Sequence, residues 1–217
     1  MIEIKGAIFD LDGTLFDSNA MWDSIAENYL ISQGVKPSSD VSEAVSAMSI
    51  QQVCEYFCSV YGLSLSREEI TNGINNMVEA FYFNRVQLKA GVRETLARMK
   101  ARGVRMCVAT ATDRYLVEAG LRRTGISDYF GRIFTCTEVG AGKDKPDIFI
   151  QALEFLGTAI GETVVFEDAF YAVRTAKAAG FTVAAVYDQS ICHQQQESRQ
   201  LADYYLPSFA EWKTLYD

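Results

Sequence analysis

The sequence predicts an α/β protein: a parallel sheet covered by helices on both faces, with an all-helical unit inserted after the first strand. Three observations carry this. An apolar run opening at Gly6 ends in Asp10-Leu11-Asp12-Gly13-Thr14, as a strand that stops at a turn would. Residues from 16 to about 86 show helical spacing and no convincing strand. From Lys89 onward, strand-like and helix-like runs alternate, which implies parallel strands joined by helical crossovers.

After Leu15 the period changes. Met21, Trp22, Ile25, Tyr29 and Leu30 recur at helical spacing, and Gly34 stands where a helix commonly closes. Lys36-Pro37-Ser38-Ser39-Asp40 reads as a loop, and Val41, Ala44, Val45 and Met48 as a short second helix. Ser49 with Gln52, and Ser66 with Glu69, have capping-box spacing. Each precedes apolar residues at helical intervals: Val53, Tyr56, Phe57 and Val60 in one, Ile70, Ile74, Met77, Val78 and Phe81 in the other.

Beyond Lys89-Ala90-Gly91, helices are predicted around Val92, Leu96 and Met99, over about 113–123 and 147–156, and up to Gly180. Strands are predicted at 104–110, 133–136, 164–166 and 183–186. Residues 189–200 read as a polar loop with a little helix, Tyr204-Tyr205-Leu206 as a last strand, and Phe209, Trp212, Leu215 and Tyr216 as a terminal helix. The expected division is a sheet domain of residues 1–15 and 87–217 and a helical unit of 16–86. The chain would cross between them near Phe16 and Arg85, with a cleft at the junction.

At 217 residues, with 49% hydrophobic and 22% charged, the chain suits a soluble globular protein with one sizeable core. No apolar run reaches the ~18 residues of a membrane span, and the opening residues lack a signal-peptide pattern. A cytoplasmic location is therefore expected. A net charge of −8 argues against nucleic acid or an anionic membrane as partner. Cys54, Cys58, Cys107, Cys136 and Cys192 are five without metal-ligand spacing, and read as reduced, mostly core residues. His193 is the single histidine.

Ligands of open parallel sheets bind beyond the carboxyl ends of the strands. Four segments fall there: Asp10 and Asp12, Thr110-Ala111-Thr112, Gly142-Lys143-Asp144-Lys145-Pro146, and Glu167-Asp168. Asp10 and Asp12, two residues apart, would repel one another unless a divalent cation or a shared proton lay between them. A solvated turn shows the same D-x-D pair. The set lacks a glycine fingerprint for hydride transfer and the histidine of a Ser-His-Asp relay. It holds carboxylates for a hard cation, a hydroxyl and amides for an anion, and a lysine, which together fit phosphoryl transfer.

The Asp10-Leu11-Asp12-Gly13-Thr14-Leu15 run, followed by a spaced threonine, lysine and Glu-Asp pair, resembles the haloacid dehalogenase-like hydrolase superfamily, in the branch with a helical cap after the first motif. The resemblance covers essentially the whole chain. It implies a Rossmann-like three-layer parallel-sheet core with an inserted all-helical cap. The implied activity is a Mg²⁺-dependent phosphatase of a small phosphorylated metabolite, working through a phospho-aspartate. It also implies Asp10 as nucleophile and Asp12 as general acid, then base. Asp168, Asp10 and the Asp12 carbonyl would hold Mg²⁺, with Glu167 acting directly or through water. Thr110 and the amide of Ala111 would bind the phosphoryl group.

Aligning Pro146-Asp147-Ile148-Phe149 with the family's lysine loop puts Lys143 on the family lysine and Asp144 where a proline is usual, with Lys145 as competitor. Ala169 and Ala172 stand where Ser and Gly are frequent. The threonine triplet also resembles the β-phosphoglucomutase-like mutases, which are the alternative, and a non-catalytic binding protein on the same scaffold is a third reading. Arg67, Lys36, Arg85 and Lys89 are the cations considered for a substrate anion. A monomer is expected, with a weak dimer as alternative.

Overall fold

Each strand of the sheet is short and mostly apolar, and every strand after the first is fed by a helix. The structure, a computed structural model, describes residues 3–45, 48, 50–191 and 195–212. Its strands are β1 (Gly6–Phe9), β2 (Arg105–Thr110), β3 (Ile133–Thr135), β4 (Thr163–Glu167), β5 (Thr182–Val186) and β6 (Tyr204–Leu206). They form one sheet in the order β3-β2-β1-β4-β5-β6, every pairing parallel. This is the parallel sheet that the alternation implied, in the Rossmann-like form that the resemblance implied.

The helices are α1 (Asn19–Ser32), α2 (Val41–Val45), α3 (Ile50–Tyr61), α4 (Arg67–Asn84), α5 (Val92–Ala101), α6 (Arg114–Thr124), α7 (Cys136–Val139), α8 (Asp147–Leu156), α9 (Phe170–Ala178) and α10 (Gln195–Leu201). By contact the chain falls into two compact units, Met1–Ser18 with Val86–Asp217, and Asn19–Arg85.

In the sheet unit β1 is central and wholly buried, which explains why its residues are apolar on both faces. Ile8, Cys107, Ala109, Val165, Val183 and Ala185 face Phe149, Ala152 and Leu156 of α8 and Ala172, Val173 and Ala176 of α9. Ala172, in place of the frequent glycine, is simply part of that core. On the opposite face Phe9 stacks on Phe166, with ring centroids 4.4 Å apart. Phe209 and Trp212 close over Phe166 at 5.7 and 5.0 Å. α6 ends where Gly125 takes φ 67°, the left-handed conformation that Gly tolerates.

The helical unit has its own core, in which Tyr29 stacks on Phe57 at 5.9 Å and Val41, Cys54, Ile70 and Ile74 fill the space around them. The capping box at Ser66 is formed: its side chain accepts from the Glu69 N–H, and Glu69 accepts from the Ser66 N–H at 2.8 Å. Ser49 of the other expected box lies outside the described residues, as do Cys192 and His193. Cys54, Cys58, Cys107 and Cys136 are free thiols. Among the described residues, no helix is long and apolar enough to cross a membrane.

One local expectation changes. β3 ends at Thr135, not Cys136, because the Thr135 hydroxyl accepts from the Glu138 N–H at 3.2 Å and starts α7. Residues Phe209–Glu211 form a 3₁₀ turn with Trp212 buried behind it, and Leu215 and Tyr216 of the expected terminal helix lie outside the described residues.

Candidate active site

The register of the sheet brings the four sequence segments to one rim. Phe9 pairs with Val108 on one side and Phe166 on the other, so Asp10 leaves β1 level with Glu167 at the end of β4. The Asp10 N–H continues the ladder to the Phe166 carbonyl at 2.9 Å. The chain then turns through Gly13, whose φ of 76° is the left-handed value that a side chain would strain. The turn is closed by Gly13 N–H to the Phe16 carbonyl at 3.0 Å and Phe16 N–H to the Leu11 carbonyl at 2.7 Å.

Lys143 reaches this rim from the loop before α8 and is 4% exposed, whereas Lys145 is exposed. The Lys143 ammonium donates to Asp10 Oδ1 and, at 2.8 Å, to Glu167 Oε2. Of the two lysines, Lys143 is therefore the one the fold brings to the carboxylates. Asp144, in the place of the usual proline, is exposed and leaves the Lys143 contacts in place.

Asp10, Glu167 and Asp168 are all buried, and one oxygen of each lies within 4.8 Å of the others. Thr14 Oγ1 donates to Asp168 Oδ1 at 3.1 Å. Asp10 and Glu167 share the Lys143 ammonium and Asp168 adds a third carboxylate to the same buried cluster, where like charges repel with little screening. Burial pushes Asp10 upward, against the pull of Lys143 and with the push of Asp12. Glu167 is raised well above the usual carboxylate range by burial, then by Asp10. Burial alone would lower Lys143, but Asp10 and Glu167 outweigh it and hold the ammonium protonated. Hard oxygen donors with surplus negative charge are what Mg²⁺ takes, so the residues present fit that ion.

Asp12 is arranged differently. It is half-buried, and its two oxygens accept from Ser18 Oγ at 2.6 Å and Thr112 Oγ1 at 2.6 Å. Its side chain is not in the metal-competent group. Thr110 is 1% exposed, and its hydroxyl accepts the Thr112 N–H at 3.1 Å, which shapes the turn after β2 rather than capping α6. Ala111, between them, is exposed.

Four residues near this rim were not assigned roles from sequence. Thr14, Ser18 and Thr112 carry ordinary hydroxyls, and only the fold reveals that they meet carboxylates. Tyr171 in α9, 45% exposed, is within electrostatic reach of Glu167, Lys143 and Asp10, and partial desolvation, then Glu167, pushes its phenol upward. Of the cations considered for substrate, Arg67 pairs with Glu55 at 3.2 Å on the surface of the helical unit, and Lys36 and Arg85 are exposed. Lys89 is committed elsewhere: its ammonium donates to the Gly13 carbonyl, the Tyr187 carbonyl and Asp188.

A strand-end aspartate, a second aspartate held by two hydroxyls, a buried lysine and a carboxylate cluster on a parallel sheet fit the class of phosphoryl-transfer hydrolases. A family profile for haloacid dehalogenase-like hydrolases matches residues 4–180, and the chain belongs to that family. Among curated relatives, the phosphorylated carbohydrates phosphatase of Thermotoga maritima is 24% identical over 92% of this chain and 91% of its own. Among solved structures, a provisionally named β-phosphoglucomutase of Thermotoga maritima superposes with a TM-score of 0.83 at 22% identity, covering 98% of each chain. CbbY of Rhodobacter sphaeroides in complex with phosphate superposes with a TM-score of 0.75 at 25% identity, covering 97% of this chain and 96% of its own.

Proposed function

We propose that the protein is a Mg²⁺-dependent phosphatase that hydrolyses the phosphate monoester of a small metabolite, carrying the phosphoryl group on Asp10 between two half-reactions. The observation that carries this reading is the buried contact of Lys143 with Asp10 and Glu167, beside Asp168 and level with the turn that holds Asp12. Family membership and the phosphatase among the relatives support the reaction class.

In the first half-reaction an Asp10 carboxylate oxygen attacks phosphorus. The bond to the ester oxygen breaks, and Asp12 gives its proton to that leaving oxygen. In the second, Asp12, now a carboxylate, takes a proton from water as the water oxygen attacks phosphorus, and the bond to Asp10 breaks, releasing phosphate. Mg²⁺, held by Asp10, Asp168 and the Asp12 carbonyl with Glu167 beside it, would supply charge that lets an anionic nucleophile approach an anionic phosphate. Lys143 fixes the orientation of Asp10 and adds positive charge where the phosphoryl oxygens gather. The Thr110 hydroxyl and the Ala111 amide would donate to those oxygens. We assign the sheet unit as the catalytic domain and the helical unit as the cap, in which substrate choice resides.

The test is a panel of phosphate monoesters, hexose phosphates and phosphoglycolate included, assayed with Mg²⁺ on the protein and on Asp10→Asn. Phosphate release that vanishes in Asp10→Asn is expected. Release that survives the substitution contradicts the nucleophile, and isomerised sugar phosphate without net release contradicts hydrolysis.

A further inference from the structure

We propose that Lys89 is a positioning residue of this active site, an internal clamp that fixes the turn bearing Asp12 and Thr14 and touches no substrate. The proposal rests on the phosphatase reading for its kinetic consequence, and on geometry alone for the clamp. The Lys89 ammonium donates to the Gly13 carbonyl at 2.6 Å, the Tyr187 carbonyl at 2.6 Å and Asp188 Oδ2 at 2.7 Å. An ammonium has three donors, and all three are committed. None remains for a substrate anion.

The three acceptors belong to two separate segments. Gly13 lies in the turn after β1, and Tyr187 and Asp188 follow β5. Lys89 itself belongs to the segment returning to the sheet unit, and its backbone N–H donates to the Leu15 carbonyl at 3.0 Å. Side chain and backbone of one residue thus hold the turn at two carbonyls. The Gly13 N–H is meanwhile taken by the Phe16 carbonyl at 3.0 Å, so the peptide planes on both sides of Gly13 are fixed. One residue before Gly13 stands Asp12, and one residue after it Thr14 donates to Asp168.

The far end of the clamp is also anchored. Asp188 is 5% exposed, and its other oxygen accepts the Ser190 N–H at 3.0 Å. The Lys89 side chain is only 17% exposed. An apolar residue at position 89 would take this donor from two carbonyls and from Oδ2 of the buried Asp188, and would release the Gly13 carbonyl from its anchor. Misplacing a proton donor by a fraction of an ångström slows chemistry without weakening ground-state binding.

The experiment compares the full chain with Lys89→Met by amide hydrogen exchange and by kinetics on p-nitrophenyl phosphate with Mg²⁺. Faster exchange across residues 11–18 is expected, with kcat lower by roughly 10- to 100-fold and KM unchanged. If Lys89→Met does not fold, Asp188→Asn is read in its place, with the same changes at smaller amplitude. Wild-type exchange at 11–18, wild-type kcat, or a raised KM at constant kcat each overturn the proposal. Should the wild-type protein hydrolyse no phosphate ester, the phosphatase reading fails, and exchange at 11–18 alone decides the clamp.

Discussion

Thr112 Oγ1 donates a 2.6 Å hydrogen bond to Asp12 Oδ2, tying the end of β2 to the turn after β1 across 100 positions of sequence. With Ser18 on the other oxygen, Asp12 hangs between two hydroxyls. Each can donate to a carboxylate or rotate to accept from a carboxylic acid. In the proposed mechanism Asp12 gives a proton and then takes one back, and such neighbours suit both of its states.

Thr112→Val removes one of those hydroxyls while conserving shape. A hydrogen bond to a charged group contributes about 1.5–3 kcal/mol, so kcat should fall by roughly 10-fold or more. KM should hold, and Thr112→Ser should recover most of the rate. Steady-state kinetics on the best substrate of the panel checks this, and an unchanged kcat in the valine variant would show that Thr112 serves only the turn.

On the proposed reading, the acidic cluster makes metal binding depend on pH. Burial raises Asp10 and Glu167. A carboxyl raised in the fold stabilises it at pH below its unfolded value, and that contribution is lost as pH climbs toward the folded value. The metal-free protein should therefore lose stability from about pH 4 upward through these two groups. Mg²⁺ favours the ionised forms and should restore that stability, so saturating Mg²⁺ should raise Tm more at pH 8 than at pH 5. A larger rise at pH 5, or none at either, runs against the cluster as a cation site.

Gly91 and Gly103 both have positive φ, 82° and 74°, but only Gly91 is enclosed. A Cβ there would lie 2.3 Å from the Ala210 nitrogen, whereas nothing stands within 4 Å of one at Gly103. Gly103→Ala should cost about 1–2 kcal/mol of left-handed strain. Gly91→Ala should cost that plus about 1–3 kcal/mol of overpacking. Urea denaturation of both variants measures the difference, and equal losses would mean that the Phe209 turn yields freely.

The strands and most helices were legible in sequence because a buried parallel sheet needs apolar runs, and its crossover helices need their own period. β1, β2 and β4 also announce their ends, since Asp10, Thr110 and Glu167 are polar residues following apolar ones. α7 was not legible: four residues leave no period, and its one cue was the spacing of Thr135 and Glu138. At the site, motif residues stood out by type and spacing. Thr14, Ser18 and Thr112 did not, since a hydroxyl reads alike whether it caps a turn or holds a carboxylate. Lys89 was open to a substrate reading because charge is visible in sequence and its partners, Gly13, Tyr187 and Asp188, are not.

The central claim is that Asp10 carries the phosphoryl group. A rapid-quench single turnover with excess enzyme, a ³²P-labelled phosphate monoester and Mg²⁺, followed by acid and peptide mapping, tests it most directly. Transient label on the peptide containing Asp10, decaying as free phosphate appears and absent from Asp10→Asn, is the predicted result. Phosphate that forms at full rate with no label ever bound to that peptide would contradict the account.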